Sequence, residues 1–189
     1  MSDEPKRLRL KIAGADSVLA SELCASCTYS PAGCCVAPPR YDWSDLGRVV
    51  EHGGTDWLLE QIAAKRLVPM EHGLSVRREK NRVRNDLRSP RIAKCTFHDG
   101  SRGCTIEDTH RPSTCNFYLC DRALTDGEGA GESTSAARAR EVHDALVTDF
   151  VRWDAALEAQ VRAEWSEDRR FTREFFVSLG EAFKSVAGR

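Results

Sequence analysis

Eight cysteines carry the chemistry that this sequence offers, and all of them lie in its first 120 residues. They fall into two blocks, Cys24, Cys27, Cys34 and Cys35, then Cys95, Cys104, Cys115 and Cys120. Thiolates are ligands for soft metals, and the tight turn of a C-x2-C pair lets both sulfurs reach one ion. We therefore predict that all eight are metal ligands, for zinc or for an iron–sulfur cluster.

The adjacent pair Cys34 and Cys35 bears on the kind of metal. Neighbouring side chains point apart, so both hardly serve one tetrahedral zinc, whereas they suit two irons of one cluster or two separate sites. Eight thiolates also satisfy two zinc sites of four cysteines each. Two other interpretations are buried apolar thiols and a disulfide framework. Eight cysteines in 189 residues fall below the roughly 8–10% typical of a disulfide scaffold.

Composition and charge indicate where the chain is expected to work. The first 17 residues are charged and contain no apolar stretch of a signal peptide. No apolar run is long enough for a membrane span, and the net charge of −1 gives no field toward nucleic acid or membrane. The basic run 77–94 has no interleaved aromatics and is interpreted as a solvated strand face. We expect a cytoplasmic protein whose partners include neither nucleic acid nor membrane.

The sequence patterns around the cysteines predict both strands and helices, and therefore an α+β fold. Leu8, Leu10 and Ile12 alternate as in a short strand. Ser44 and Thr55 are expected to cap two short helices.

A β-hairpin is predicted over residues 91–107. The tetrapeptide 98–101 contains the turn signal Asp-Gly and is taken as its loop. This register places Cys95 opposite Cys104 on one face, close enough to share a metal. His98 is then a turn residue, and His110 a surface or supporting group.

The last third of the chain reads as a helical hairpin. Apolar residues recur every three or four positions, which predicts one long amphipathic helix with Val142, Leu146, Phe150, Trp153, Leu157 and Val161 facing inward. Ser166 is expected to cap a second helix. We predict a small cysteine-rich metal-binding domain over 1–124, a flexible linker over 125–136, and a helical hairpin over 137–189 packed on the first domain.

The complete cysteine pattern is more specific than any fragment of it. It reads C-x2-C-x6-C-C, then C-x8-C-x10-C-x4-C. The segments YDWSDLGRVVEHGG, CTF (95–97), CTIEDTHRPSTC (104–115) and NFYLC (116–120) lie between and around the cysteines. Over residues 20–122 this resembles the YkgJ-type cysteine-cluster family, whose domain is described as zinc- or iron-chelating.

The resemblance implies a metal-chelating fold but no particular activity. The loop between C-x2-C and CC is longer here than is usual in the family, and His110 and Asn116 replace the residues common at their positions. Larger relatives, the flagellin lysine methylases, carry a similar cluster. This chain shows no S-adenosylmethionine site, so that activity is not transferred.

Three functions are therefore compatible with the sequence. The first is a metal-binding protein with a redox, sensing or accessory role. The second is a module that binds a protein partner, in which zinc stabilises the fold and no reaction is catalysed. The third is a protein-modifying enzyme that uses the cluster structurally. No Ser-His-Asp spacing, P-loop or dinucleotide-binding glycine motif is present, so no catalytic residue is assigned.

Overall fold

The computed structural model describes residues 8–21, 38–80, 93–99, 103–125 and 134–189. The strands are β1 (Leu8–Lys11), β2 (Val18–Ser21), β3 (Leu67–Met70), β4 (Gly73–Val76), β5 (Arg78–Lys80), β6 (Ala93–Cys95), β7 (His98–Asp99) and β8 (Gly103–Cys104). The helices are α1 (Trp43–Glu51), α2 (Thr55–Ala63), α3 (Ser113–Phe117), α4 (Asp121–Thr125), α5 (Thr134–Glu164) and α6 (Arg173–Ala187), with a 3-10 helix at Glu167–Arg169. The predicted α+β class is confirmed.

Helix α5 supplies the longest apolar face of the core. All six residues of its predicted stripe are buried, because their spacing places them on one side of an α-helix. Trp153 meets Phe183 of α6 edge to face, with ring centroids 5.8 Å apart. Phe175 of α6 is fully buried as well. The predicted inward stripe of the long helix is thus correct.

Helix α1 packs against both C-terminal helices. Its contact with α6 is close because Gly47 lies against Phe183, and Gly180 lies against Val50. A Cβ added to Gly47 would stand 2.5 Å from the Cβ of Phe183. Two helices approach this closely only where one side offers no side chain.

The three predicted helix caps were placed wrongly. The N-cap of α1 is Asp42, which forms a capping box with Asp45, while Ser44 lies inside the helix and donates from its backbone N–H to Asp154 at 3.1 Å. Gly54 precedes α2, which begins at Thr55. Ser166 caps only the 3-10 helix, and α6 is capped by Thr172. Serine and threonine are common caps, but tertiary contacts decide which of several candidates is used.

The strands form four separate antiparallel pairs, β1–β2, β3–β4, β5–β6 and β7–β8. The first begins at Leu8 as predicted, although Ile12 lies beyond the strand and is exposed. Between the last two pairs the chain turns at residues 96–97. Of the predicted linker, residues 126–133 lie outside the described part, residue 125 ends α4, and residues 134–136 belong to α5. Within the described ranges, no helix is long and apolar enough to cross a membrane.

Candidate functional site

The cysteines of the second block lie in β6, in β8, in α3 and just before α4. Cys95 ends β6 and Cys104 ends β8, and both are half-buried against the hydrophobic core. Cys115 lies in α3 and Cys120 directly precedes α4, and both are exposed. The first block, Cys24, Cys27, Cys34 and Cys35, falls outside the described residues. The prediction that these four cysteines are metal ligands therefore stays a prediction.

The register of the predicted hairpin was wrong. Strand β7 pairs with β8 so that His98, not Cys95, stands opposite Cys104. Cys95 instead pairs with Arg78 of β5. Strand β7 contains His98 and Asp99, the first two residues of the predicted loop, and residues 100–101 of that loop lie outside the described residues. His98 is thus a strand residue, half-buried, with a buried Nδ1 that has no hydrogen-bond partner in the described part of the chain.

Burial of Phe97 explains this register. Its ring packs against Trp57 with centroids 5.9 Å apart. Its carbonyl oxygen accepts hydrogen bonds from both the backbone N–H and the hydroxyl of Thr105, each at 2.9 Å. A side chain that must enter the core bends the chain after Cys95, so β6 and β7 cannot continue as one strand.

Cys95 and Cys104 remain within electrostatic range although they are not directly opposed. Burial raises the pKa of the Cys95 thiol, a hydrogen bond from the backbone N–H of Phe97 lowers it, and charge on Cys104 raises it. Like charges disfavour each other's ionised form. A bound cation reverses this effect, because thiolates that repel one another are both attracted to the metal.

The buried side chain of Tyr41 interacts electrostatically with both Cys104 and Cys115. Its side chain is fully buried, and its hydroxyl donates to the carbonyl of His110 at 2.8 Å. Burial raises the pKa of this phenol well above its usual value, followed by the negative charges of Asp45, Cys115 and Cys104. Charge on the thiols of β8 and α3 therefore acts on one and the same buried phenol.

Arg48 holds the segment that carries Cys115. Its side chain is 1% exposed, and its guanidinium donates to the carbonyls of Thr109, at 3.3 Å, and Arg111. Asp108 adds a longer contact at 3.5 Å. The buried guanidinium of Arg48 in α1 thus holds the backbone of residues 108–111, just before α3, by hydrogen bonds.

Asp45, also in α1, adds a hydrogen bond to the first residue of α3. Its Oδ1 accepts a hydrogen bond from the backbone N–H of Ser113 at 2.6 Å. Ser113 is the first residue of α3. Burial raises the pKa of Asp45 from 3.8 to about 6, while the charge of Arg48 and the Ser113 hydrogen bonds act in the opposite direction. One turn of α1 therefore supplies an acceptor for the start of α3 and donors for the loop before it.

His110 is held as a packing group. Its ring stacks on Trp57 with centroids 5.1 Å apart and planes 6° apart. Burial lowers the pKa of His110, so the neutral imidazole is favoured. Its side chain is half-buried, and the supporting role at a metal stays a prediction.

Sequence reasoning missed Tyr41, Asp45 and Arg48. The two charged residues lie three apart on a short helix and look like solvent-facing positions. Only the tertiary contacts with residues 108–113 reveal that both are buried.

The described thiols do not close a metal site by themselves. Across residues 8–21, 38–80, 93–99, 103–125 and 134–189, no three His, Cys, Asp or Glu side chains form a group that could hold a metal ion. Comparisons with family models, with curated proteins and with solved structures found no match to this chain.

Proposed function

We propose that this chain is a metal-binding cysteine-cluster protein, with iron–sulfur or zinc bound by cysteines of both blocks. The observation that carries the proposal is that thiols from three separate elements interact electrostatically, Cys104 with Cys95, and both Cys104 and Cys115 with the buried phenol of Tyr41. Sites for soft metals require this convergence of thiolates from different parts of the backbone.

The donor chemistry fits such a metal. Cys95 and Cys104 offer half-buried sulfurs, and Cys115 and Cys120 offer exposed ones. The described block supplies part of a ligand set, so the proposal assigns the remaining ligands to Cys24, Cys27, Cys34 and Cys35. When bound, an iron–sulfur cluster would supply one-electron chemistry and zinc would supply a structural crosslink.

The surrounding residues would support the ligands rather than bind the metal. Asp45 and Arg48 fix the backbone at both sides of Pro112, and so fix where α3 presents Cys115. Tyr41 fixes the carbonyl of His110. Groups that orient ligands in this way affect metal affinity by about 10–100-fold.

The test is metal content after anaerobic purification. We expect stoichiometric metal in the wild-type chain, and loss of metal in Cys104→Ser and Cys27→Ser, because a serine hydroxyl stays protonated and binds soft metals poorly. Val177→Ser, at an exposed position of α6, is the control for substitution to serine. A metal-free wild-type chain, or serine variants with full metal, would refute the proposal.

His98→Ala decides whether the ligand set is all cysteine. We expect this variant to keep its metal, since eight thiolates are already sufficient for a cluster or for two zinc ions. His98 nevertheless stands opposite Cys104. Loss of metal from His98→Ala, with Cys27→Ser unaffected, would instead indicate a mixed Cys/His zinc centre.

The role of the metal follows from its identity. A coloured protein that bleaches on oxidation favours a redox or sensing role, whereas colourless protein with bound zinc favours a stapled interaction module. Reduction by dithionite, followed in the visible spectrum, separates these two outcomes.

A further inference from the structure

Trp57 contacts both connections between the first three cysteines of the second block, although it lies on a helix without cysteines. It belongs to the first turn of α2 and is half-buried. Its ring centroid lies 5.9 Å from that of Phe97, which stands between the first and second of these cysteines in the sequence. It lies 5.1 Å from the ring of His110, which stands between the second and third. One rigid side chain therefore touches both segments that carry these thiols.

The contact with His110 leaves the imidazole little freedom. The planes of the two rings are 6° apart, so the imidazole lies flat against the indole of Trp57. Gly54, just before α2, gives this ring room, because a Cβ added there would stand 2.7 Å from Cδ2 of His110. The backbone is held as well, since the His110 carbonyl accepts a hydrogen bond from the Tyr41 hydroxyl at 2.8 Å. Residue 110 is thus fixed at its ring and at its backbone, in the segment that leads to Cys115.

The contact with Phe97 acts on the hairpin segment. The Phe97 side chain is 7% exposed, and its ring is inclined by 33° to the indole of Trp57. Its backbone N–H donates a hydrogen bond to the Cys95 thiol. Its carbonyl accepts one at 2.9 Å from the backbone N–H of Thr105, the residue after Cys104. A displaced Phe97 ring therefore moves the backbone that flanks both cysteines.

Helix α2 gives the indole a fixed base. Leu58, next to Trp57, is fully buried in the hydrophobic core, and Asp56 forms an ion pair with Arg173 of α6. An indole side chain is large and rigid and loses little conformational entropy when it is held in place. Its nitrogen is a hydrogen-bond donor only, so it offers a metal no ligand. Trp57 can thus hold two segments at a set separation without binding metal itself.

We propose that Trp57 is a positioning residue of the metal site, which sets the separation between the hairpin that carries Cys95 and Cys104 and the segment that carries Cys115. The inference rests on the proposed metal binding by these cysteines. A tetrahedral thiolate site tolerates little error in its sulfur positions, because each metal–sulfur distance is about 2.3 Å. Loss of the indole leaves the number of thiolates unchanged but alters where they stand. The result is a distorted site of lower affinity that still has all its ligands.

The test is a titration of the reduced, metal-free chain with cobalt(II), followed in the visible spectrum. Cobalt(II) takes the same thiolate ligands as zinc, and the positions of its absorption bands depend on the geometry of those ligands. We expect Trp57→Leu to weaken cobalt binding by about tenfold or more and to shift the bands of the cobalt that does bind. Trp57→Phe keeps a flat ring and should restore the wild-type band positions. A loss of stability alone lowers the amount of cobalt bound but leaves the spectrum of the bound form unchanged.

Trp165→Leu is the matched control. Trp165 is also half-buried, and it packs edge to face on Phe175 of α6 with ring centroids 5.4 Å apart. Its removal should leave the cobalt spectrum as in wild type. Wild-type affinity and spectrum in Trp57→Leu, or identical changes in both leucine variants, would overturn the positioning role and leave metal binding intact. A wild-type chain that binds no cobalt would refute the metal site and this role together.

Double substitutions identify the route by which Trp57 acts. Combining Trp57→Leu with His110→Ala should weaken cobalt binding by less than the product of the two separate effects, because substitutions of residues in contact are not additive. Combining Trp57→Leu with Phe97→Leu should behave in the same way. Effects that simply multiply in both pairs would overturn the claim that Trp57 positions the cysteines through these two rings.

Discussion

Replacement of Arg48 by methionine tests the contact between α1 and the segment before α3. Methionine keeps most of the length and apolar contact of the side chain but removes its charge and all its donors. The carbonyls of Thr109 and Arg111 lose their guanidinium partner. Asp108 keeps a second donor, since the Asn116 side chain also bonds its carbonyl at 2.7 Å. The carboxylate of Asp16, 3.7 Å away, loses a charge partner.

The expected loss follows from the burial of Arg48. Removing one member of a buried charge network costs about 3–5 kcal/mol, because the remaining partners stay desolvated. For a chain of this size each kcal/mol lowers the melting temperature by about 2–4 °C, so we expect a decrease of about 6–20 °C. Arg138→Met is the control, because Arg138 is half-exposed and pairs with Glu141 on the helix surface. That pair should contribute at most about 1 kcal/mol.

The measurement is urea unfolding followed by circular dichroism, with both variants compared at one pH and ionic strength. The slope of unfolding free energy against urea should be unchanged, since the buried area is nearly the same. An Arg48→Met loss no larger than that of Arg138→Met would mean that the buried contacts do not hold residues 108–111. Helix α1 would then not position Cys115 through these contacts.

Three further outcomes are expected. Because the pKa of Asp45 is raised from 3.8 to about 6, the folded protein binds a proton that the unfolded chain has released. The unfolding free energy of wild type relative to Asp45→Asn should therefore fall by about 2–3 kcal/mol as pH rises from about 4 to about 7 in urea titrations. Metal loss in acid affects both proteins and cancels, and a flat difference would contradict the raised pKa. Gly47→Ala should lower the unfolding free energy, measured in urea, by about 1–3 kcal/mol despite the better helix propensity of alanine, because the added Cβ meets Phe183 at 2.5 Å. The control is Ser185→Ala at an exposed position. Equal stability of the two variants would show that the two helices separate freely. Chelation should lower the melting temperature, since structural zinc contributes on the order of 10 kcal/mol in small peptides, while helical dichroism from residues 134–187 persists; an unchanged melt after verified metal removal would refute a structural metal.

Periodicity made the C-terminal helices predictable from the sequence. The stripe from Val142 to Val161 has few alternatives, because an apolar face of that length can only be buried as one helix. Cap positions were less predictable because Asp42 and Ser44 are both good cap residues. The choice is made by Asp154, 110 positions away, which binds the Ser44 N–H.

The register of the hairpin and the polar contacts of α1 could not be predicted from the local sequence pattern. The Asp-Gly signal correctly indicated a hairpin, but burial of Phe97 against Trp57 set the register and separated Cys95 from Cys104. Asp45 and Arg48 show the spacing of an exposed ion pair. Their burial depends on a partner segment more than 60 residues away in the sequence.

The use of polar contacts between α1 and α3 has a physical consequence for the cysteines. Apolar burial is not directional, so a helix held only by its apolar face can slide or rotate at small cost. Hydrogen bonds from a buried guanidinium and to a buried carboxylate are directional, and each fails if its partner moves by about 1 Å. Arg48 bonds the backbone before Pro112, and Asp45 bonds the backbone after it. The start of α3 is therefore fixed in both position and direction, and Cys115, two residues further on, inherits that placement relative to Tyr41 and Cys104.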